Sequence, residues 1–490
     1  MNSEDLKQKC LTAGIDWELT NQLLEKVNAK SISPQVFEPV VHHPDLMSLD
    51  QGIDLEEKQK NVLLHTFPQI SRLPYLQTKD PLHLDSEKLV EIGTLLYPTY
   101  SYGILNGGSA SSYADTTKNH SYSPELYAIY EELFKTYAPR LQGLPKALAP
   151  AWYTPKAPGP TFLELKFRMI KTMYERYEQI THKYNIPVQG HPAPLFQMLN
   201  TKNASHIRKA QQDILKTEFC TSSVWEGSIY EAEQALIAAI THEKLGYPRR
   251  VFQSAFGNSG EPYGLPGGHG QQFHVLRNIY KELYAQGIHF VSIGNIDNLG
   301  YTIDPRIIAY LACTSVCSIY EFSPRTALDK KGGILVTDEH GRLTCADIGV
   351  SIDPSSISQI EPTYFNCANG WFRLSALLEK LEDIIENLPL RISNQSKDAG
   401  DYAQIEMITW EAMPYTQPLK VLCVKKKDRL LSAKMILETF ILSNIHLERV
   451  TSIFPYAAEL GSSISQLLNT QYNTSLDELF TEKHKHHETP

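Results

Sequence analysis

Ile288-His289-Phe290-Val291-Ser292-Ile293-Gly294-Asn295-Ile296-Asp297-Asn298-Leu299-Gly300 is the stretch on which the fold turns. Its first seven residues are apolar, β-branched or aromatic at most positions and carry no acid or lysine, which reads as a buried strand. The segment before it, Gln272 to Gln286, sets Leu276, Ile279, Tyr280, Leu283 and Tyr284 on one helical face, and Gly287 stops that helix. A helix closed by glycine and followed at once by a buried strand is one half of a parallel crossover unit. The strand ends in one carboxylate and two amides within four residues. In open parallel sheets ligands sit beyond the carboxyl ends of strands, so Asp297 suits a Mg²⁺ held by one carboxylate plus substrate phosphates. The two amides suit sugar or ribose hydroxyls. The bland reading of the same turn is an Asx-rich cap for a helix opened by Pro305.

Outward from this unit the alternation continues. Phe162 to Tyr184 has an apolar face of Phe162, Leu165, Met169, Met173 and Tyr177, and Pro194 to Leu199 reads as a buried strand. Strand-like segments follow at Cys317–Glu321, Gly332–Thr337 and Arg342–Ile348, then an amphipathic helix from Leu374 to Leu388. The expectation is an α/β fold: a Rossmann-like mixed, mostly parallel sheet flanked by helices. Residues 1–95 read as a helical N-terminal cap broken by prolines, 96–430 as the alternating strand–helix domain, and 431–490 as a short, mainly helical C-terminal region with helices over Leu430–Leu447 and Ser462–Leu468.

The 490 residues are 42% hydrophobic and 21% charged, enough apolar material for a large core. A net charge of −9 implies no broad basic surface for nucleic acid. The seven cysteines lack CxxC pairing, a reduced intracellular pattern. The longest uncharged apolar-rich run, Ile307 to Tyr320, is shorter than the roughly 20 residues a bilayer span needs. The expectation is a cytoplasmic protein without membrane contact, monomeric or a small homo-oligomer. The terminal His484, His486 and His487 read as a solvated tail rather than a metal site.

Three more segments could carry chemistry. Gly264-Leu265-Pro266-Gly267-Gly268-His269-Gly270 lets backbone approach a ligand just before a helix start. Ile104 to Ser112, with Gly107 and Gly108 followed by small hydroxyls, could form an anion-holding nest, with Lys118 downstream to reach a phosphate. Lys425-Lys426-Lys427 follows the strand-like Val421–Val424, where an ammonium can neutralise phosphate. No nucleophile elbow, P-loop, dinucleotide fingerprint or His-Glu-x-x-His motif is present.

In this order the segments resemble the eukaryotic-type UDP-sugar pyrophosphorylases, which include the UDP-glucose and UDP-N-acetylglucosamine enzymes. Leu105 to Gly108 match the opening of the family's L-N-G-G-L-G-T-x-M-G loop, after which a Pro-Lys is expected; Lys118 stands near that place without a proline. Pro194–Thr201, Phe252-Gln253-Ser254, Pro266–Gly270, Asn295–Gly300, Gly332-Gly333 with Asp347, Phe365–Asn369, Gln404–Glu406 and Val424-Lys425 are similar to further family segments. Asp347 stands where the family has Glu, and residues 431–490 lack the strand repeats of its C-terminal β-helix. The resemblance is to a divergent member.

The resemblance implies a type A nucleotidyltransferase fold and the reaction of UTP with a sugar 1-phosphate to give UDP-sugar and pyrophosphate, with Mg²⁺ and no protein nucleophile. Leu105, Asn106, Gly107 and Gly108 would line the nucleotide, and Gln253 and Gly268 would hold uracil. Asp297 would bind Mg²⁺, Lys425 would neutralise the transition state, and Lys118 the leaving pyrophosphate. His269, Asn298, Gly333, Asp347, Asn366 and Asn369 would face the sugar phosphate. The Pro-Gly-Gly-His-Gly loop favours glucose over N-acetylglucosamine. A nucleotide-sugar-binding homologue without catalysis, or a sugar-phosphate-binding subunit of a larger complex, stays open.

Overall fold

The computed structural model describes residues 3–29, 36–78, 82–108, 110, 113–154, 157–188, 190–217, 219–220, 225, 228–325, 332–357 and 360–473. The hydroxyls of Ser109, Ser111 and Ser112 in the glycine-rich segment and the histidine-containing tail lie outside these residues.

The centre is an eleven-stranded sheet. In chain order its strands are β1 (Glu38–Pro39), β2 (Leu46–Met47), β3 (Tyr100–Asn106), β4 (Leu195–Asn200), β5 (Ile229–Gln234), β6 (Phe290–Asn295), β7 (Ser318–Pro324), β8 (Gly333–Thr337), β9 (Leu343–Asp347), β10 (Tyr364–Arg373) and β11 (Leu419–Cys423). Across the sheet the order is β2-β11-β7-β10-β6-β3-β4-β5, with β8, β9 and β1 branching from β10. β6, β3, β4 and β5 are parallel neighbours, while β10 runs antiparallel between β6 and β7. The sheet is therefore mixed and mostly parallel, as the alternation of strands and helices predicts. Both faces of its central strands are buried: every residue of β3 and β4 is buried, which is why apolar residues occupy both faces of these strands rather than alternate ones.

The flanking helices include α1 (Pro124–Leu141), α2 (Phe162–Lys183), α3 (Arg277–Ala285), α4 (Pro305–Cys313), α5 (Leu374–Asn387), α6 (Ile436–Leu442), α7 (Leu447–Ile453) and α8 (Ala457–Gln471). α2 starts at Thr161, whose side chain accepts the Glu164 N–H, and buries Phe162, Leu165, Met169, Met173 and Tyr177. The sequence predicts one helix over Leu430–Leu447. The structure divides it, because Asn444 and His446 adopt left-handed backbone between α6 and α7.

Two further departures bear on function. The N-terminal segment is more than a helical cap, since β1 pairs with β8 and β2 with β11. The C-terminal helices share one apolar core with α1 and α2: Phe440, Val450, Ile464 and Leu468 pack in the same cluster as Tyr130, Phe134 and Met173. Tyr130 donates to the Ile445 carbonyl at 2.9 Å, and the Ile436 N–H to the Tyr113 carbonyl at 3.0 Å. No helix among the described residues is long and apolar enough to cross a membrane.

One buried ion pair ties the sheet to the segment after β11. Arg429 donates to both carboxylate oxygens of Glu321 on β7 at 2.6 Å each. Trp371 Nε1–H (2.7 Å) and Asn369 Nδ2–H (3.2 Å) complete the shell. Glu321 is wholly buried. Arg429→Met leaves that carboxylate unpaired and is expected to cost about 3–5 kcal/mol in urea unfolding. Adding Glu321→Gln in the same chain should recover most of the loss, and a single variant with native stability would contradict this account.

Candidate active site

The carboxyl ends of β6, β3, β4 and β5 form one rim, because these four strands are parallel and in register. That rim carries Asn295 and then Asp297, Asn106 to Gly108, Asn200, and Gln234. Crossing from β6 to β5, its chemistry changes from charged to amide.

At the β6 side, Asp297 is ion-paired through Oδ2 with Lys146 Nζ, both side chains being 13% exposed. Lys146 comes from the stretch after α1. Its N–H donates to the Gly108 carbonyl at 3.1 Å, so the glycine segment and the lysine are one structural unit. The ammonium also lies 5.5 Å from the Tyr113 ring centroid. Oδ1 of Asp297 has no hydrogen bond among the described residues. A single partly open carboxylate with one free oxygen fits Mg²⁺ held through one carboxylate and substrate phosphates; no cluster of three or more potential ligands exists among the described residues.

At the β5 side, Gln234 is 3% exposed. Its Nε2 donates to the Gly268 carbonyl at 2.7 Å and to Gln271 Oε1 at 2.6 Å. Its Oε1 lies 3.4 Å from the position a methyl on Gly107 would take. Gly268 has φ +81°, and a Cβ there would fall 2.4 Å from the Met407 carbonyl oxygen, so only glycine fits. Asn106 is wholly buried; it donates to Gln197 Oε1 at 3.0 Å, and its own Oδ1 has no partner among the described residues.

His269 follows Gly268. Thr409 N–H donates to its Nδ1 at 3.1 Å, which leaves the proton on Nε2. Burial pushes the ring down to about 4, so it is a neutral donor at physiological pH. A Cβ on Gly333 would lie 3.2 Å from Asp347 Oδ1 and 3.7 Å from Asn366 Cβ, so these three residues adjoin. Arg391 bonds both Asp347 Oδ2 and Glu411 Oε1. Burial raises the Glu411 carboxyl to about 7.

Asn298 and Asn369 are buried, Asn298 at the wall of the cavity described below. Asn298 Nδ2 donates to the carbonyls of Cys367 (3.2 Å) and Arg429 (3.0 Å) and to Asn369 Oδ1 (3.3 Å), while its Oδ1 accepts the Gly300 and Leu431 N–H groups at 3.0 Å each. These amides hold the loop in shape. A cavity of about 230 Å³ opens beside Asn295 and Asn366 and is walled by Lys426, Lys434, Leu442, Phe454 and Leu460. The C-terminal helices thus form one side of it.

Three residues singled out from the sequence stand elsewhere. Gln253 precedes a tight turn in which its carbonyl accepts the Gly260 N–H at 2.7 Å, next to the Phe252–Tyr402 cluster; the rim glutamine is Gln234. Lys118 is exposed on the helix Thr116–Tyr122, and the rim lysine is Lys146. Lys425 is exposed and lines a separate cavity with Asp50, Asp304 and Arg306, whereas its neighbour Lys426 lines the cavity beside Asn366. Sequence reasoning passed over Lys146, Gln234 and Arg391. A signal existed for the first, since Pro145-Lys146 is a Pro-Lys dipeptide, set apart from the glycine loop by the helices over residues 116–141. Gln234, at a strand's carboxyl end, answered the rule used for Asp297.

The fold resembles solved nucleotide-sugar pyrophosphorylases. The UDP-N-acetylglucosamine pyrophosphorylase of Trypanosoma brucei superposes with TM-score 0.61 at 15% identity, covering 93% of this chain and 84% of that one. The UDP-glucose pyrophosphorylase of Leishmania major gives 0.57 at 16% identity, covering 90% and 79%. The model of the UTP–glucose-1-phosphate uridylyltransferase family matches residues 158–446, and the chain belongs to that family. Relatives named UTP–glucose-1-phosphate uridylyltransferase include one from Dictyostelium discoideum, 27% identical over 58% of this chain and 53% of its own length. Another, from Solanum tuberosum, is 34% identical over 36% of this chain and 39% of its own. The matched segments thus span about half or less of those relatives.

Proposed function

We propose that this chain transfers the uridylyl group of UTP to a hexose 1-phosphate, releasing pyrophosphate. The observation that carries the reading is the rim itself: an amide pocket of Gln234, Gly107 and Gly268 next to a Lys146–Asp297 charge pair. One phosphate oxygen of the sugar phosphate attacks the α-phosphorus of UTP. The bond from that phosphorus to the bridging oxygen breaks, and pyrophosphate carries away the electron pair. No protein nucleophile takes part, so positioning and charge neutralisation supply the rate. Gln234 Oε1 accepts the uracil N3–H, and the backbone around Gly107 and Gly268 admits the base. Lys146 holds the triphosphate, taking over the task that the sequence assigns to Lys118. Mg²⁺ at Asp297 would neutralise the phosphates. His269 offers Nε2–H, and Asp347 with Asn366 offers acceptors and a donor to sugar hydroxyls.

The test is pyrophosphate release with UTP, Mg²⁺ and a panel of sugar 1-phosphates; no release with any of them defeats the proposal. Glucose 1-phosphate is the favoured partner. The apolar wall of Leu442, Phe454 and Leu460 favours a second reading, N-acetylglucosamine 1-phosphate, whose acetyl methyl such a wall would bury. The same panel separates the two. Of the adjacent lysines, Lys426 lines the sugar-side cavity. Lys426→Ala should reduce turnover about tenfold to hundredfold, and Lys425→Ala by much less; the reverse ranking in steady-state assays would return the role to Lys425.

A further inference from the structure

We propose that Lys166 is a positioning residue for the loop that presents Asp297, an inference that rests on the uridylyl-transfer reading. Lys166 lies on α2 and is wholly buried. Its Nζ donates to the Asn298 carbonyl at 2.7 Å and the Tyr301 carbonyl at 2.8 Å, gripping both ends of the turn that follows Asp297. The third side of the ammonium faces the Tyr301 ring, 5.3 Å from its centroid. Two carbonyls and an aromatic face make a cage for a cation. Among the described residues no carboxylate pairs with it directly, and burial pushes the amine down to about 7.

Burying an ammonium in this way costs stability, yet neither carbonyl relies on it alone. Asn298 O also accepts the Tyr301 N–H at 3.1 Å, and Tyr301 O also accepts the Tyr102 hydroxyl at 2.7 Å. With Lys166 replaced by methionine, both carbonyls keep a donor and the space stays filled. What is lost is the side chain that fixes the turn relative to α2. A group held only to support the core would not combine such a cost with such redundancy.

The test uses the full chain with Lys166→Met and Lys166→Arg, reading thermal melting, amide exchange and steady-state kinetics. Lys166→Met should melt at or above the native temperature, while the amides of Asn298 to Tyr301 exchange at least about tenfold faster. Its kcat should fall about 30- to 100-fold with KM for UTP and sugar phosphate nearly unchanged, the pattern of a misplaced reacting geometry. Lys166→Arg, which keeps a charged donor, should recover part of both losses. Failure of Lys166→Met to fold, a melting temperature that falls together with kcat, or native exchange and native kcat would each overturn the proposal. Should the native protein release no pyrophosphate, the reaction assignment fails, and the exchange data alone decide whether Lys166 sets the loop.

Discussion

Lys146→Met lowers kcat by about 100- to 1,000-fold, the loss expected when one preorganised charge is removed from a phosphoryl-transfer site. The argument starts from its surroundings. The ammonium is held by Asp297 and by the backbone link to Gly108, so it occupies a fixed place between the carboxylate and the glycine segment. Charge that needs no reorganisation during reaction is worth more than mobile charge. The variant should fold, because Asp297 keeps partial access to water and Lys146 belongs to no apolar core cluster. Lys118→Met, on an exposed helix, should leave turnover within about twofold, as ordinary surface substitutions leave stability. Lys146→Met and Asp297→Asn should be strongly non-additive, since each alone breaks the same pair. Equal rates for native and Lys146→Met in a pyrophosphate-release assay would remove Lys146 from the mechanism.

What could be read from the string, and what could not, divides along physical lines. The β6 strand and the Asn295–Gly300 turn were legible because period, glycine stops and Asx chemistry are local properties. The mixed sheet followed from alternation. Gln234 and Lys146 were not legible as partners, because their meeting depends on strand order: only when β5 lies two strands from β3 does Gln234 face Gly107. Lys146 was further hidden by α1, which separates it in sequence from a loop it touches in space. Burial also gives two of the expected sugar contacts a structural task. Asn298 and Asn369 carry the right chemistry for a sugar, but their donors and acceptors are consumed by Cys367, Arg429, Leu431 and Glu321. A polar side chain in a motif can build the site without touching the substrate, and only its bonding partners separate the two roles.

That distinction is sharpest at Gln234, where Gln234→Leu should raise KM for UTP by about 10- to 100-fold while leaving kcat near native. The amide nitrogen is already committed to Gly268 O and Gln271 Oε1, which fixes the rotamer and turns Oε1 toward Gly107. An acceptor held there suits the N3–H of uracil and opposes cytosine, whose N3 is itself an acceptor. Leucine removes the acceptor and also strips a donor from the Gly268 carbonyl; an unmet buried hydrogen bond costs roughly 1–3 kcal/mol, which is the predicted range in KM. Because the base is remote from the α-phosphorus, the loss should fall on binding rather than on the chemical step. Preference for UTP over CTP should shrink with it, since discrimination by a hydrogen-bonding pocket depends on leaving the wrong base unpaired. Gln253→Leu, in the turn beside Phe252, should change neither quantity. If Gln253→Leu raises KM for UTP and Gln234→Leu does not, the nucleotide enters from the other side of the Gly264–Gly270 segment, and the amide end of the rim is not the base pocket.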